Sequence, residues 1–184
     1  MAIILPKQLG TKEGELLSKK SEDVSNFKEA EEIIKSLKES LDHYGGVGLA
    51  APQIGIAKRI FIVDIKLTER YKEKYPKMKE IGFKAYINPQ ISDFSSKNNK
   101  NPEGCLSVFY GTFYGNVKRA NSLKIEYFDL AGKKQTDSIE DEFHSRVIQH
   151  EFDHLEGKNF LYQMESDDFL SVIWDEKLDI RKKD

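Results

Sequence analysis

The chain has 184 residues, 39% hydrophobic and 33% charged, with a formal net charge of -2. This length predicts a single domain, 1–184, with a real hydrophobic core. The near-neutral charge gives no pull toward nucleic acid or an anionic membrane; no apolar run is long enough to span a bilayer, and Ala2-Ile3-Ile4-Leu5 stops at Pro6, short of a secretory segment.

Residues 26–44 predict an amphipathic helix, with Phe27, Ala30, Ile33, Ile34, Leu37, Leu41 and Tyr44 at helical spacing. Asn26 followed by Glu29 resembles a capping box, and Gly45-Gly46 stops the helix. The segment Gly46-Val47-Gly48-Leu49-Ala50-Ala51-Pro52-Gln53 has neither helical nor strand period. Residues 59–65 predict a strand, and 66–84 a charged surface excursion. Ala85 to Ser92 predicts a strand that Pro89 makes an edge or a bulged one. Residues 93–104 read as loop, rich in Ser, Asn, Lys and Gly. Leu123 to Leu130 alternates as a strand, with a turn at Ala131-Gly132 into a partner near 133–137. A second helix is expected from Ile139 to Glu156, capped by Ser138 and ended by Gly157. A short helix is expected over 166–178, and the closing Arg181-Lys182-Lys183 reads as a solvated tail. The sum is an α+β fold: short, mainly antiparallel strands around a central helix, the second.

That second helix carries His150-Glu151-Phe152-Asp153-His154. Two histidines four residues apart share a helical face, so both imidazoles can converge on one cation. Glu151, beside the first, can work on water without being a ligand. Ile139, Phe143 and Val147 lead to them on that face, while Ile148, Phe152 and Leu155 make a second apolar face. Such a helix is buried, and buried His and Glu are costly unless paired or metal-bound. A pentapeptide of this kind also arises by chance, with its polar residues exposed or paired to each other.

A catalytic metal needs a third protein ligand. Cys105, the chain's single cysteine, excludes an internal disulfide and fits a reducing compartment. A lone cysteine is more often a small buried hydrophobe, yet Gly104 before it allows close approach to something bulky. His43 and His144 read as partly exposed histidines outside the site.

Three segments stand in order: Gly46 to Gln53, Glu103-Gly104-Cys105-Leu106-Ser107, and Gln149 to Gly157. Together they closely resemble the three signature motifs of the peptide deformylase family. The resemblance implies removal of the formyl group from N-terminal formyl-methionine of nascent polypeptides in the cytoplasm, with release of formate. It implies one divalent metal per chain, ferrous iron natively, with zinc, nickel or cobalt as substitutes, held by Cys105, His150 and His154. Glu151 would be the acid/base, and Gln53 with the backbone N–H of Leu106 would hold the oxyanion. Val47, Gly48 and Gly104 would bind the extended peptide and Val147 would help line the methionine pocket. Asp153 and Arg119 would brace the site as a pair. Partners would be formylated nascent chains and, transiently, the ribosome. The long aromatic segment 108–116 and the 66–84 excursion depart from the compact bacterial pattern, which bears on subclass and side-chain preference. Two other readings share parts of this pattern. A zinc endopeptidase would bring a third His or Glu ligand and an open groove; a non-catalytic metal-binding module would not need both Glu151 and Gln53.

Overall fold

The computed structural model describes residues 3–66, 72 and 78–182. Most of the expected 66–84 excursion, and Lys183 of the tail, lie outside the described residues. Helix α1 (Phe27–Tyr44) starts where Asn26 accepts hydrogen bonds from the Lys28 and Glu29 amides, and ends at Gly45, whose φ is 78°. Its buried face packs on β1 (Gly48–Ala50) and β2 (Ile60–Ile65).

Strand β2 is buried along its whole length, which explains its unbroken apolar run: Ile60 and Ile62 face α1, while Phe61 and Val63 face a second cluster. That cluster is built on α2 (Glu142–Leu155), through Phe143, Val147, Ile148 and Leu155. Strands β3 (Ile81–Ser92), β6 (Leu123–Phe128) and β7 (Lys134–Ile139) complete a five-stranded antiparallel sheet in the order β1-β2-β3-β6-β7. A second antiparallel sheet has the order β4-β5-β8, from β4 (Asn98–Gly104), β5 (Phe113–Ala120) and β8 (Ile173–Trp174). Helix α2 packs against β1 and β2 of the first sheet and β5 of the second. The expected α+β arrangement, strands around a central helix, is the one observed.

In the secondary structure, one open expectation is settled and three are corrected. Pro89 sits at a register shift between Ile87 and Gln90, with Asn88 at φ 49°, so β3 is bulged; lying third of five strands, it is not an edge. Residues 98–104 form strand β4 instead of loop. Its side chains lack apolar alternation because they bond one another: Asn101 donates to Asn99 at 3.0 Å, and Asn99 to Asn121 at 2.8 Å. The second helix begins later than expected, because β7 pairs with β6 through Ser138 and Ile139. Asp141 is its cap, accepting from the Phe143 and His144 amides at 3.1 and 2.9 Å. Finally, 166–178 is not one helix but 3-10 turns flanking β8, whose Ile173 and Trp174 pair with Tyr114 and Phe113.

His43 is exposed, but His144 is only 6% exposed, against expectation. Its ring lies 3.3 Å from the Tyr86 hydroxyl, and burial pulls its pKa down to about 4. It is therefore a core histidine on a different side of α2 from His150 and His154.

Candidate metal centre

Gly104 closes β4 and Cys105 follows it directly. Gly104 pairs with Tyr114 across the ladder, and a Cβ on Gly104 would lie 2.4 Å from the Tyr114 ring. Only glycine lets that ring cover the strand end, which delivers the Cys105 sulfur toward α2. There it meets the two histidines. The ligand atoms of Cys105, His150 and His154 all lie within 4.8 Å of one another, and the sulfur is 3.2 Å from His154 Nε2.

Two donors address the sulfur. The Ser107 backbone N–H and Gln53 Nε2 each lie 3.4 Å away, the arrangement a thiolate uses. Gln53 is oriented by its other end: the Ala50 N–H donates to Oε1 at 2.8 Å, so the NH₂ must face Cys105 and Ser107. Pro52 starts the 3-10 turn that carries Gln53 away from β1.

His150 Nδ1 is 3.0 Å from Glu103 Oε2, which leaves Nε2 for the cluster. Burial alone would raise the Glu103 carboxyl, but Arg119 and His150 hold it well below the usual carboxylate range. Arg119 grips it with both branches, at 2.9 and 3.0 Å, and reaches Asp153 at 2.7 Å. The expected Arg119–Asp153 brace is thus present, and Glu103 joins it to His150. Burial pushes His154 well below the usual histidine range, so it is a neutral imidazole, the form that ligates metals.

Glu151 is 4% exposed, and burial lifts its carboxyl to about 7. Among the described residues, neither its Oε2 nor His154 Nδ1 has a hydrogen-bond partner. A buried carboxylate oxygen without a protein partner is costly unless something else occupies it. A cysteine sulfur and two imidazoles at one point, beside that oxygen, therefore fit a divalent cation.

Of the site residues expected from sequence, all but His154 line one cavity; His154 lies beneath it, 1% exposed. Pro102, Tyr114, Phe143 and Arg146 also line it, and sequence reasoning did not assign them. Arg146 stands four residues before His150, so helical spacing was the signal available for it. Gln8 was missed too: it anchors the peptide after Cys105, donating to the Leu106 carbonyl at 2.9 Å.

Gly48 touches the Glu151 side chain. A Cβ there would lie 2.6 Å from Glu151 Oε1. Gly48→Ala should displace the carboxylate by about an ångström and cost roughly 10²-fold in turnover, with metal content unchanged. Turnover measured beside metal analysis would check it; parental turnover would mean the carboxylate tolerates the shift.

This helix, with its two histidines and glutamate set against a cysteine at the head of a cleft, defines a metal-dependent hydrolase. The third member of the cluster is sulfur, not the His or Glu of the zinc endopeptidase reading. Comparison with known proteins narrows the class. The family model for polypeptide deformylase matches residues 6–169. A peptide deformylase of Rickettsia akari is 38% identical over 146 residues, covering 77% of this chain and 78% of that protein. One from Chlorobium phaeobacteroides is 34% identical over 167 residues, covering 90% and 83%. Among solved structures, the Met-Ala-Ser-bound class I type b peptide deformylase of Acinetobacter baumannii superposes with a TM-score of 0.79 at 30% identity, over 89% of this chain and 99% of that one. The Thermotoga maritima peptide deformylase gives 0.75 at 28%, over 90% and 99%. The chain belongs to the peptide deformylase family. Its reaction is the hydrolysis of the formyl group from the N-terminal formyl-methionine of newly made polypeptides, with release of formate.

Proposed function

We propose that Cys105, His150 and His154 hold the metal of this deformylase and that Glu151 is its acid/base. The observation that carries the reading is the convergence of those three ligand atoms beside a buried carboxylate oxygen that has no partner among the described residues. A divalent cation held there polarises the formyl carbonyl and acidifies water. Ferrous iron is the native ion in this reading, by family resemblance; the mixed S and N donor set also suits zinc, nickel or cobalt.

The chain's own groups do the rest. Gln53 Nε2 and the Leu106 N–H donate to the oxygen of the formyl group as it gains negative charge. One such donor is worth about 3 kcal/mol. Glu151 accepts a proton from the attacking water and passes it to the leaving amine nitrogen. The C–N bond breaks, giving formate and a free N-terminal methionine.

Substrate selection follows from two strand edges. β1 is the outer strand of one sheet and β4 of the other, and both supply the cavity wall. Val47, Gly48 and Gly104 would hold an extended peptide by its backbone. Val147, buried and one turn before Glu151, would contact the methionine side chain. The tripeptide bound to the Acinetobacter baumannii relative, Met-Ala-Ser, has the form of such a product. The reading includes one catalytic domain, a reducing cytoplasm that keeps Cys105 a thiol, and brief contact with ribosomes that present the substrate. No helix among the described residues is long and apolar enough to cross a membrane.

The test is formate release from formyl-Met-Ala-Ser by protein purified anaerobically, with its metal measured. About one metal per chain and stoichiometric formate are expected. Metal-loaded protein that releases no formate, or that cleaves casein instead, would overturn the reading.

A further inference from the structure

Arg146 lies one turn before His150 on α2, on the same face, and it is 3% exposed. It lines the cavity. Its Nη1 donates to Glu103 Oε1 at 2.6 Å, to the Val117 carbonyl at 2.9 Å and to the Asn101 carbonyl at 3.4 Å. Its Nη2 donates to the Asn99 carbonyl at 3.1 Å and also to the Asn99 side-chain oxygen. One guanidinium thus ties α2 to both β4 and β5. Its β4 acceptors come from Asn99, Asn101 and Glu103, alternate residues on one side of the strand that ends in Gly104 and Cys105.

Charge explains why this position holds a cation. Glu103 and Asp153 are two buried or half-buried anions, and Arg119 alone would balance one of them. Arg146 is the second cation, and it shares the Glu103 carboxylate that holds the His150 ring. An apolar side chain could fill the same space, but it could neither neutralise Glu103 nor donate to three carbonyls.

We propose that Arg146 is a positioning residue for the deformylase reaction. Through Glu103 it steadies His150, and through the Asn99 and Asn101 carbonyls it sets the distance between α2 and the β4 edge, one wall of the cleft. The proposal rests on the reading in which Cys105 and His150 hold the metal. It implies that metal hold and peptide hold are separable at this residue, because the first runs through a carboxylate and the second through carbonyls.

Arg146→Met and Arg146→Lys separate them. The full-length protein is purified anaerobically; metal affinity is measured by chelator competition, and kcat and KM on formyl-Met-Ala-Ser. Arg146→Met should bind metal roughly 10–100-fold more weakly, as loss of an outer partner does, and should show a raised KM. Arg146→Lys keeps one cation for Glu103, so metal affinity should return toward the parent. Its KM should stay raised, since an ammonium cannot span Glu103, Asn99 and Asn101 together. A folded Arg146→Met with parental metal affinity and KM would overturn the proposal. If Arg146→Met does not fold, Arg146→Lys decides alone: raised KM with metal retained supports it, and parental KM overturns it. Parent protein that binds metal but releases no formate would sink the functional reading instead, and the metal-affinity comparison would still stand.

Discussion

Glu151→Gln is expected to keep its metal and to lose formate release by about 10²–10⁴-fold, the usual weight of a positioned general acid–base. The side chain keeps its shape, so the neighbouring ligands His150 and His154 stay in place. The amide cannot accept the water proton, so both halves of the proton transfer fail. Stability should not fall with activity. The parent carboxylate is 4% exposed and one of its oxygens has no hydrogen-bond partner among the described residues, so a neutral amide is no harder to bury. The expected pattern is therefore full metal content, a parental or higher Tm, and nearly absent formate in a single-turnover assay. Near-normal turnover would assign the proton transfer to another group.

The site and the fold were not equally legible in the sequence. His150, Glu151 and His154 are a local pattern: helical spacing alone places two imidazoles on one face, and the structure needs no distant residue to bring that about. Cys105 was different. Its junction to α2 depends on Gly104 under the Tyr114 ring and on pairing between β4 and β5; the sequence marks the glycine as a point of close approach, but neither the ring it meets nor the pairing. Only resemblance tied the sulfur to the histidines. Strand β4 was hidden because its polar side chains are satisfied by each other and by Arg146, which lies 47 residues from Asn99. A hydrophobic period cannot report a strand stabilised in that way. The start of α2 was misplaced for a related reason. Ser138 and Asp141 are both good caps, and the choice was made by the β6–β7 ladder, a tertiary contact. Gln8 could not have been found locally at all, since its partner Leu106 is 98 residues away.

Cys105→Ala is expected to lose the metal and, with it, all measurable deformylation. Removing a direct ligand should cost more than the roughly 10–100-fold in affinity that losing an outer partner costs. The two histidines that remain are a weaker donor set than the three ligands a catalytic site ordinarily uses. Misfolding is a separate matter, and the surroundings argue against it. Cys105 sits in a small cluster with Val108, Phe113, Val117, Phe160 and Met164, where losing one sulfur removes little apolar contact. Gln53 Nε2 keeps Ser107 Oγ as an acceptor at 3.2 Å when the sulfur is gone. Thermal unfolding with and without chelator separates the two effects. Metal that binds only the folded state stabilises it, by about 2.7 kcal/mol at a hundred times Kd. Chelator should therefore lower the Tm of the parent protein and of Glu151→Gln, and leave that of Cys105→Ala unmoved. If chelator shifted the Cys105→Ala transition as far as the parent's, the sulfur would not be a ligand, and the two histidines would have to be completed by some other group.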